Sequence, residues 1–422
     1  MQNKRLISLD LLRGITILTM VLVNNPGDWN NVYPALLHAE WNGCKLADFV
    51  FPFFIFILGM AIPLANSNKE QSFTNGTKYL IRSLRIICLG LFLNFFNTIT
   101  IFNLEGTSLL FFRILLTLII GVALLGNYSF STKKYTTILL FCSFMVLAFG
   151  TVQFQEVRLL GVLQRIGMVY FFASLVYTFF STRVQVGIVI SILLGYWAMM
   201  RLIPVPGVGV ANFEIGTNLA AWIDQIILKE HVYAGTKPWD PEGILATLPA
   251  IAQGIMGALI GQLLLNNANA IQLMKKLWVI GLVLVFLGVI MSVYFPINKS
   301  IWTSSYVLFT SGIAIMLFNV LYYLADYKEL KKMFFPLVLW GINPMIVFFL
   351  SGVIPRTLAM IPIESLQNKT VTIGLQKYCY TTFLEPLFNT PMNASLAHAL
   401  VFIVFFHGIL YLLFKKNWII KV

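Results

Sequence analysis

The sequence predicts an all-α fold: a polytopic transmembrane helical bundle of about twelve (10–12) spans, with N and C termini in the cytoplasm. Three observations carry this reading. The 422 residues are 59% hydrophobic and only 11% charged, where a soluble domain carries about 25% charged residues. The apolar residues come in runs of roughly 20, the length needed to cross a bilayer as a helix. Lysine and arginine cluster beside alternate gaps between those runs, the pattern of cytoplasmic loops.

The expected spans lie near 8–24, 47–66, 78–98, 108–126, 135–153, 158–180, 184–203, 244–264, 276–295, 302–324, 334–354 and 394–414. Met1 to Arg5 is basic but no small-residue cleavage site follows, so the first run is expected to stay in place. Lys4/Arg5, Lys69/Lys78/Arg82/Arg85, Lys133/Lys134, Arg183, Lys275/Lys276, Lys328/Lys331/Lys332 and Lys415/Lys416/Lys421 then all fall on one side. The net charge of +13 follows from this asymmetry and calls for no nucleic acid. Residues 1–422 read as a single integral membrane domain. The opposite side carries three long connections, 25–46, 204–243 and 355–393. Loops beyond about 12–15 residues are usually functional or disordered, and three on one face suggest a roofed cavity. Cys44, Cys88, Cys142 and Cys379 show no CxxC spacing, so no metal site is expected and free thiols are.

The richest stretch is His38 to Pro52, HAEWNGCKLADFVFP, between the first two spans. His38 can act as a general base or transient acyl acceptor, since imidazole titrates near neutral pH. Asp48, ten residues on at the start of the second helix, can orient that imidazole, or serve as an N-terminal helix carboxylate. Asn24, at the outer end of the first helix, can donate to a developing oxyanion or simply end the helix. Trp41 and Asn42 are candidate substrate contacts. Further along, Gln164 and Arg165 sit within apolar sequence, where an arginine needs a partner or a wet cavity. Trp239, Asp240 and Glu242 could offer a stacking face and carboxylates to a sugar or an ammonium group, with Asp240 also a possible helix cap. Asn298, Lys299 and Trp302 stand at another outer helix start. On the inner side, Arg13 (with Asp10 one turn away), Arg82 and Arg85 either mark topology or bind phosphates. P-loop, HExxH and GxSxG motifs do not occur, which speaks against nucleotide hydrolysis and metal chemistry.

RLISLDLLRG, the VN at Val23–Asn24, HAEWNG…ADFVFPFFIFILG, GVLQRI, WDPEGILATLPAI, PINKSIWTSSYV and GINP stand in the order of one family. From Arg5 to about Asn343 the chain resembles the heparan-α-glucosaminide N-acetyltransferase family of transmembrane acyltransferases, including bacterial relatives of the NagX type. It departs from the family pattern in extra apolar sequence at 108–153. The resemblance implies an enzyme that takes cytosolic acetyl-CoA as co-substrate, with no metal, and N-acetylates glucosamine or a terminal amino sugar at the outer face. It places the active histidine on His38, its asparagine on Asn24 and its aspartate on Asp48. Arg5, Arg13, Arg82 and Arg85 are then the candidates for the CoA phosphates. The expected partners are the amino sugar, CoA and the lipid bilayer of a bacterial inner membrane, with a homodimer allowed for. The competing readings are an amino-sugar or oligosaccharide transporter and an O-acetyltransferase of an envelope polysaccharide.

Overall fold

The computed structural model describes residues 6–66, 73–101, 103–364 and 372–420. Arg5, Lys4, Lys69 and Lys421 lie outside them. The first half of the chain runs back and forth as α1 (Ile7–Asn24), α2 (Val50–Asn66), α3 (Phe73–Phe95), α4 (Gly106–Leu125), α5 (Phe130–Gly150), α6 (Val162–Phe179) and α7 (Thr182–Leu202). A short helix, α8 (Leu219–Leu228), lies in the second long connection. Then come α9 (Thr247–Asn266), α10 (Ala270–Ser292), α11 (Ser304–Tyr322), α12 (Phe335–Ile342) and α13 (Pro344–Met360). A two-stranded antiparallel hairpin, β1 (Pro362–Glu364) with β2 (Thr372–Gly374), precedes α14 (Leu375–Cys379) and the last span, α15 (Pro391–Lys415).

Among the described residues ten helices are long and apolar enough to cross a membrane, and α12 with α13 make an eleventh if counted as one bent span. α3 has the length, 23 residues, but carries Lys78, Arg82 and Arg85. The chain is an integral membrane protein of the expected class. Its outward-facing side chains agree: Phe111, Leu118 and Val122 on α4 and Val279, Leu282 and Phe286 on α10 are exposed apolar groups, as lipid contact requires.

Close packing rests on glycine. A side chain at Gly14 or Gly341 would collide with the backbone of the other helix where α1 crosses α12, and Gly59 and Gly257 do the same for α2 against α9. Small residues let backbones meet where no hydrophobic effect drives helices together. The first turn of α1 has no cap of its own; Asp326, from the turn after α11, accepts from Ile7 and Ser8 N–H at 3.1 and 2.9 Å and satisfies two of its orphan donors.

Two expectations need correction. The single span expected at 334–354 is broken by 78° between Ile342 and Pro344. Proline removes the amide there, and the Asn343 side chain binds Trp418 O and Ile420 N–H of the C-terminal tail instead. The span expected at 158–180 begins only at Val162. Residues 157–159 are held out of the helix by the second long connection: Leu159 N–H donates to His231 O and the His231 ring bonds Val157 O. The extra apolar sequence at 108–153 resolves into two helices, α4 and α5.

The long connections interlock at one end of the bundle. Gly43 N–H donates to Ile297 O, Trp41 Nε1 to Phe213 O and Gly27 N–H to Ser395 O. These cross-links hold a roof over the ends of α1, α2, α6 and α9.

Candidate active site

The site is built on a short 3₁₀ turn, Leu46–Phe49, that leads into α2. Asp48 is its third residue and 1% exposed. Its Oδ2 accepts from Ala39 and Lys45 N–H at 3.0 and 2.9 Å, and its Oδ1 lies 2.7 Å from His38 Nδ1. The turn therefore fixes the carboxylate, and the carboxylate fixes the ring. Asp48 has no proton to give, so in a hydrogen bond between them Nδ1–H is the donor. The His38 side chain is about half exposed, 52%, into the space under the roof.

That space is a cavity of about 470 Å³, within the range of small-molecule sites. Its walls include Thr16, Met20 and Asn24 of α1, Phe51 and Phe54 of α2, and Val162 and Ile166 of α6; His38, Asp48, Trp41, Arg158, Trp239, Glu242, Lys299 and Trp302 line its polar end. The Asn24 side chain has no hydrogen-bond partner among the described residues and lines this cavity and a second one of about 450 Å³ beside it. Trp41 and Trp239 meet edge to face at 5.3 Å. Lys299 Nζ stands 2.9 and 3.2 Å from the two His38 ring nitrogens and 3.5 Å from Asp48 Oδ1. Burial pushes the Lys299 ammonium down from its ordinary range, more than the charges of Asp48 and Glu242 restore it. Burial, with the Asp48 charge, pushes the neighbouring Cys44 thiol up to about 12, so it is no thiolate near neutral pH.

A second charged cluster faces the cavity. Arg158 grips Asp240 through two nitrogens, at 2.8 and 2.5 Å, and also pairs with Glu242. Its guanidinium lies 4.7 Å over the Tyr233 ring. Burial opposes its charge, and Glu242 and Asp240 more than reverse that, raising it above the ordinary arginine value. Asp240 also accepts from Tyr233 and Glu242 N–H. Asp240 is thus turned into the protein, while Glu242 keeps a place on the cavity wall. Sequence reasoning missed Arg158 by taking it into the sixth span; the signal was an intramembrane-edge arginine in need of acids.

Other expected contacts lie elsewhere. Asn42 and Asn298 bind each other at 3.2 Å, and Asn298 Oδ1 accepts from Ile301 N–H. Gln164 lines the second cavity. Arg165 is fully buried behind the wall, 4.9 Å from the Trp302 ring, with one bond to Gly243 O. On the opposite end of the bundle, Lys78 and Arg82 line a third cavity of about 260 Å³ with Asn66, Asn75 and Tyr170. Arg82 lies over the Tyr170 ring at 4.9 Å. Arg85 is buried and donates to Leu124 O and Gly126 O, the free carbonyls at the end of α4. Arg13 pairs with Asp10 at 2.9 Å and donates to Gly341 O. Arg5 lies outside the described residues. All four cysteines are free.

The roofed cavity and the basic cavity approach each other along two helices. On α2 the first reaches Phe54 and the other starts at Leu58; on α6 they reach Ile166 and Tyr170. Each gap is one turn, about 6 Å.

Comparison with known proteins adds an independent line. Residues 5–179 match the family model described as heparan-alpha-glucosaminide N-acetyltransferase, catalytic. The chain is 28% identical to the heparan-alpha-glucosaminide N-acetyltransferase of Homo sapiens, over 82% of this chain and 52% of that protein. With the Mus musculus protein of the same name it is 25% identical, over 82% of this chain and 53% of that one. The chain therefore spans about half the length of these curated relatives. The chain is thus similar to the heparan-alpha-glucosaminide N-acetyltransferases, with the catalytic family model covering its residues 5–179.

Proposed function

We propose that the chain is a transmembrane acetyltransferase that carries an acetyl group from acetyl-CoA, bound from the basic end, to the amine of glucosamine or a terminal amino sugar under the roof. One observation carries most weight: a cavity with an oriented imidazole and a cavity with Lys78 and Arg82 lie on the same two helices, one turn apart. An acyl-CoA has the matching shape, with phosphates at one end and a thioester at the end of a long arm. The similarity to heparan-alpha-glucosaminide N-acetyltransferases supports the same chemistry.

In this reading Arg82 and Lys78 hold the CoA phosphates, and the arm passes Leu58 and Phe54 to bring the thioester to His38. The sugar amine is largely protonated near neutral pH and must lose a proton before it can attack. His38 Nε2 takes that proton, with Asp48 stabilising the imidazolium. The nitrogen lone pair attacks the thioester carbonyl, and the Asn24 amide donates to the developing oxyanion. The C–S bond breaks as the C–N bond forms. His38 returns one proton to the CoA thiolate, and the second amine proton leaves to water. Trp41 and Trp239 offer faces for the sugar ring, and Glu242 an acceptor for its hydroxyls. Both termini and the basic end face the cytosol in this reading, on the lysine and arginine asymmetry.

Purified protein given acetyl-CoA and glucosamine tests the reading. The expected products are CoA and N-acetylglucosamine in equal amounts, with an alkali-stable amide. An alkali-labile ester would reassign the protein to O-acetylation, and sugar movement without CoA release to transport.

A further inference from the structure

The turn after α10 puts a primary amine where the acceptor amine must stand. Asn298, fully buried, receives Ile301 N–H on Oδ1, while its own N–H donates to Thr303 Oγ1 at 3.0 Å. Thr303 N–H returns to Asn298 O, and Trp302 N–H to Lys299 O. Trp302 is held at φ +50°, a left-handed conformation unfavourable for a bulky residue that persists where the surroundings over-determine it. Lys299 is therefore delivered to the site by a built turn. Its Nζ lies within hydrogen-bond distance of both His38 nitrogens, and its side chain lines the cavity at 22% exposure.

We propose that Lys299 is itself an acetyl acceptor: when donor is bound and the amino sugar is absent, the protein acetylates Lys299 Nζ and closes its own acceptor site. This rests on the acetyltransferase reading above. The Lys299 ammonium and an amino-sugar ammonium present the same group to the same base, so the substrate has to displace Lys299 from the imidazole. Burial favours the neutral amine that can attack. The surrounding groups do not compete for the role: the Cys44 thiol stays protonated, the Tyr306 hydroxyl is committed to Asp48 O, Glu242 is paired with Arg158, and Arg165 lies behind Trp302. In the step, Nζ gives a proton to His38 Nε2 and attacks the thioester carbonyl. A C–N bond forms, the C–S bond breaks, His38 protonates the CoA thiolate, and the second Nζ proton leaves to water. The product has lost its charge and carries an amide into the acceptor's space. Abundant donor with scarce acceptor would thus throttle the enzyme.

The test incubates the full-length protein with acetyl-CoA labelled in the acetyl group, without sugar, and maps the label by peptide mass spectrometry after hydroxylamine, which removes acyl-imidazole but not amide. The expected result is label on Lys299, suppressed by saturating glucosamine and at least about 100-fold slower in His38→Gln, the lower bound for a lost general base. A wild-type protein that acetylates glucosamine yet leaves Lys299 unlabelled overturns the proposal and spares the acetyltransferase reading. Equal labelling in His38→Gln also overturns it, as uncatalysed chemistry. Label on neither lysine nor sugar removes both readings together.

Discussion

Two clusters of basic and acidic side chains line the roofed cavity and are left in different states. In Arg158–Asp240–Glu242 the cation is answered by two carboxylates, and Asp240 takes two backbone amides as well. In His38–Asp48–Lys299 the carboxylate is answered by the ring, two backbone amides and the lysine, but His38 and Lys299, which contact each other, both stay partly exposed on the cavity wall. A saturated network holds a shape, because each buried charge removed from it leaves another uncompensated. An unsaturated one has a group left for a reactant. The first cluster pins the second long connection over the site; in the proposed reaction the second meets the substrate.

Substitutions should separate the two roles. His38→Ala should fold and bind CoA normally while losing about 10²–10⁴-fold in turnover, the typical worth of a general base; steady-state kinetics on the purified variant reads this directly. Asp48→Asn keeps the turn but weakens the hold on imidazolium, so its loss should be similar or smaller. Arg158→Met should act on stability first. It strands Asp240 and Glu242, and breaking a buried pair costs about 3–5 kcal/mol, seen as a lowered unfolding temperature in detergent. Adding Asp240→Asn and Glu242→Gln should recover much of that loss. If Arg158→Met instead left the unfolding temperature unchanged and abolished turnover, the two clusters would not differ as described.

Asn24→Ala should lower turnover by about 10²–10³-fold, as for a lost oxyanion donor, with little change in the acetyl-CoA requirement. The smallest effect is expected at the basic end. Arg82→Ala should raise the apparent acetyl-CoA KM about tenfold, on a charged hydrogen bond worth roughly 1.5–3 kcal/mol, and leave the sugar KM alone. Arg85→Ala should instead destabilise α4, whose terminal carbonyls it serves. An Arg85→Ala protein of normal stability with weakened CoA binding would reverse those assignments.

Much of this was readable in the chain. Hydropathy located the spans because the bilayer sets their length, and His38 and Asp48 announced each other by standing ten residues apart around one short turn. Arg158 did not announce itself. It borders an apolar run that reads as one helix from 158, and its acids lie 82 and 84 residues away, so only the folded connection shows the pairing. Asn42 and Asn298 read as substrate contacts from their common outer location; in the fold their side chains bind each other, and Asn298 serves the turn before α11. The break at Asn343–Pro344 was likewise hidden in a run whose apolarity continues across it.

In the proposed reaction the two cavities along α2 and α6 serve one transfer. Proteoliposomes with the protein in a single orientation, acetyl-CoA supplied only at the basic end and glucosamine only at the roofed end, test it most directly. N-acetylglucosamine is expected in the compartment that held glucosamine and free CoA in the other, in equal amounts, both lost in His38→Ala. Product formed only when both substrates share one compartment would contradict it.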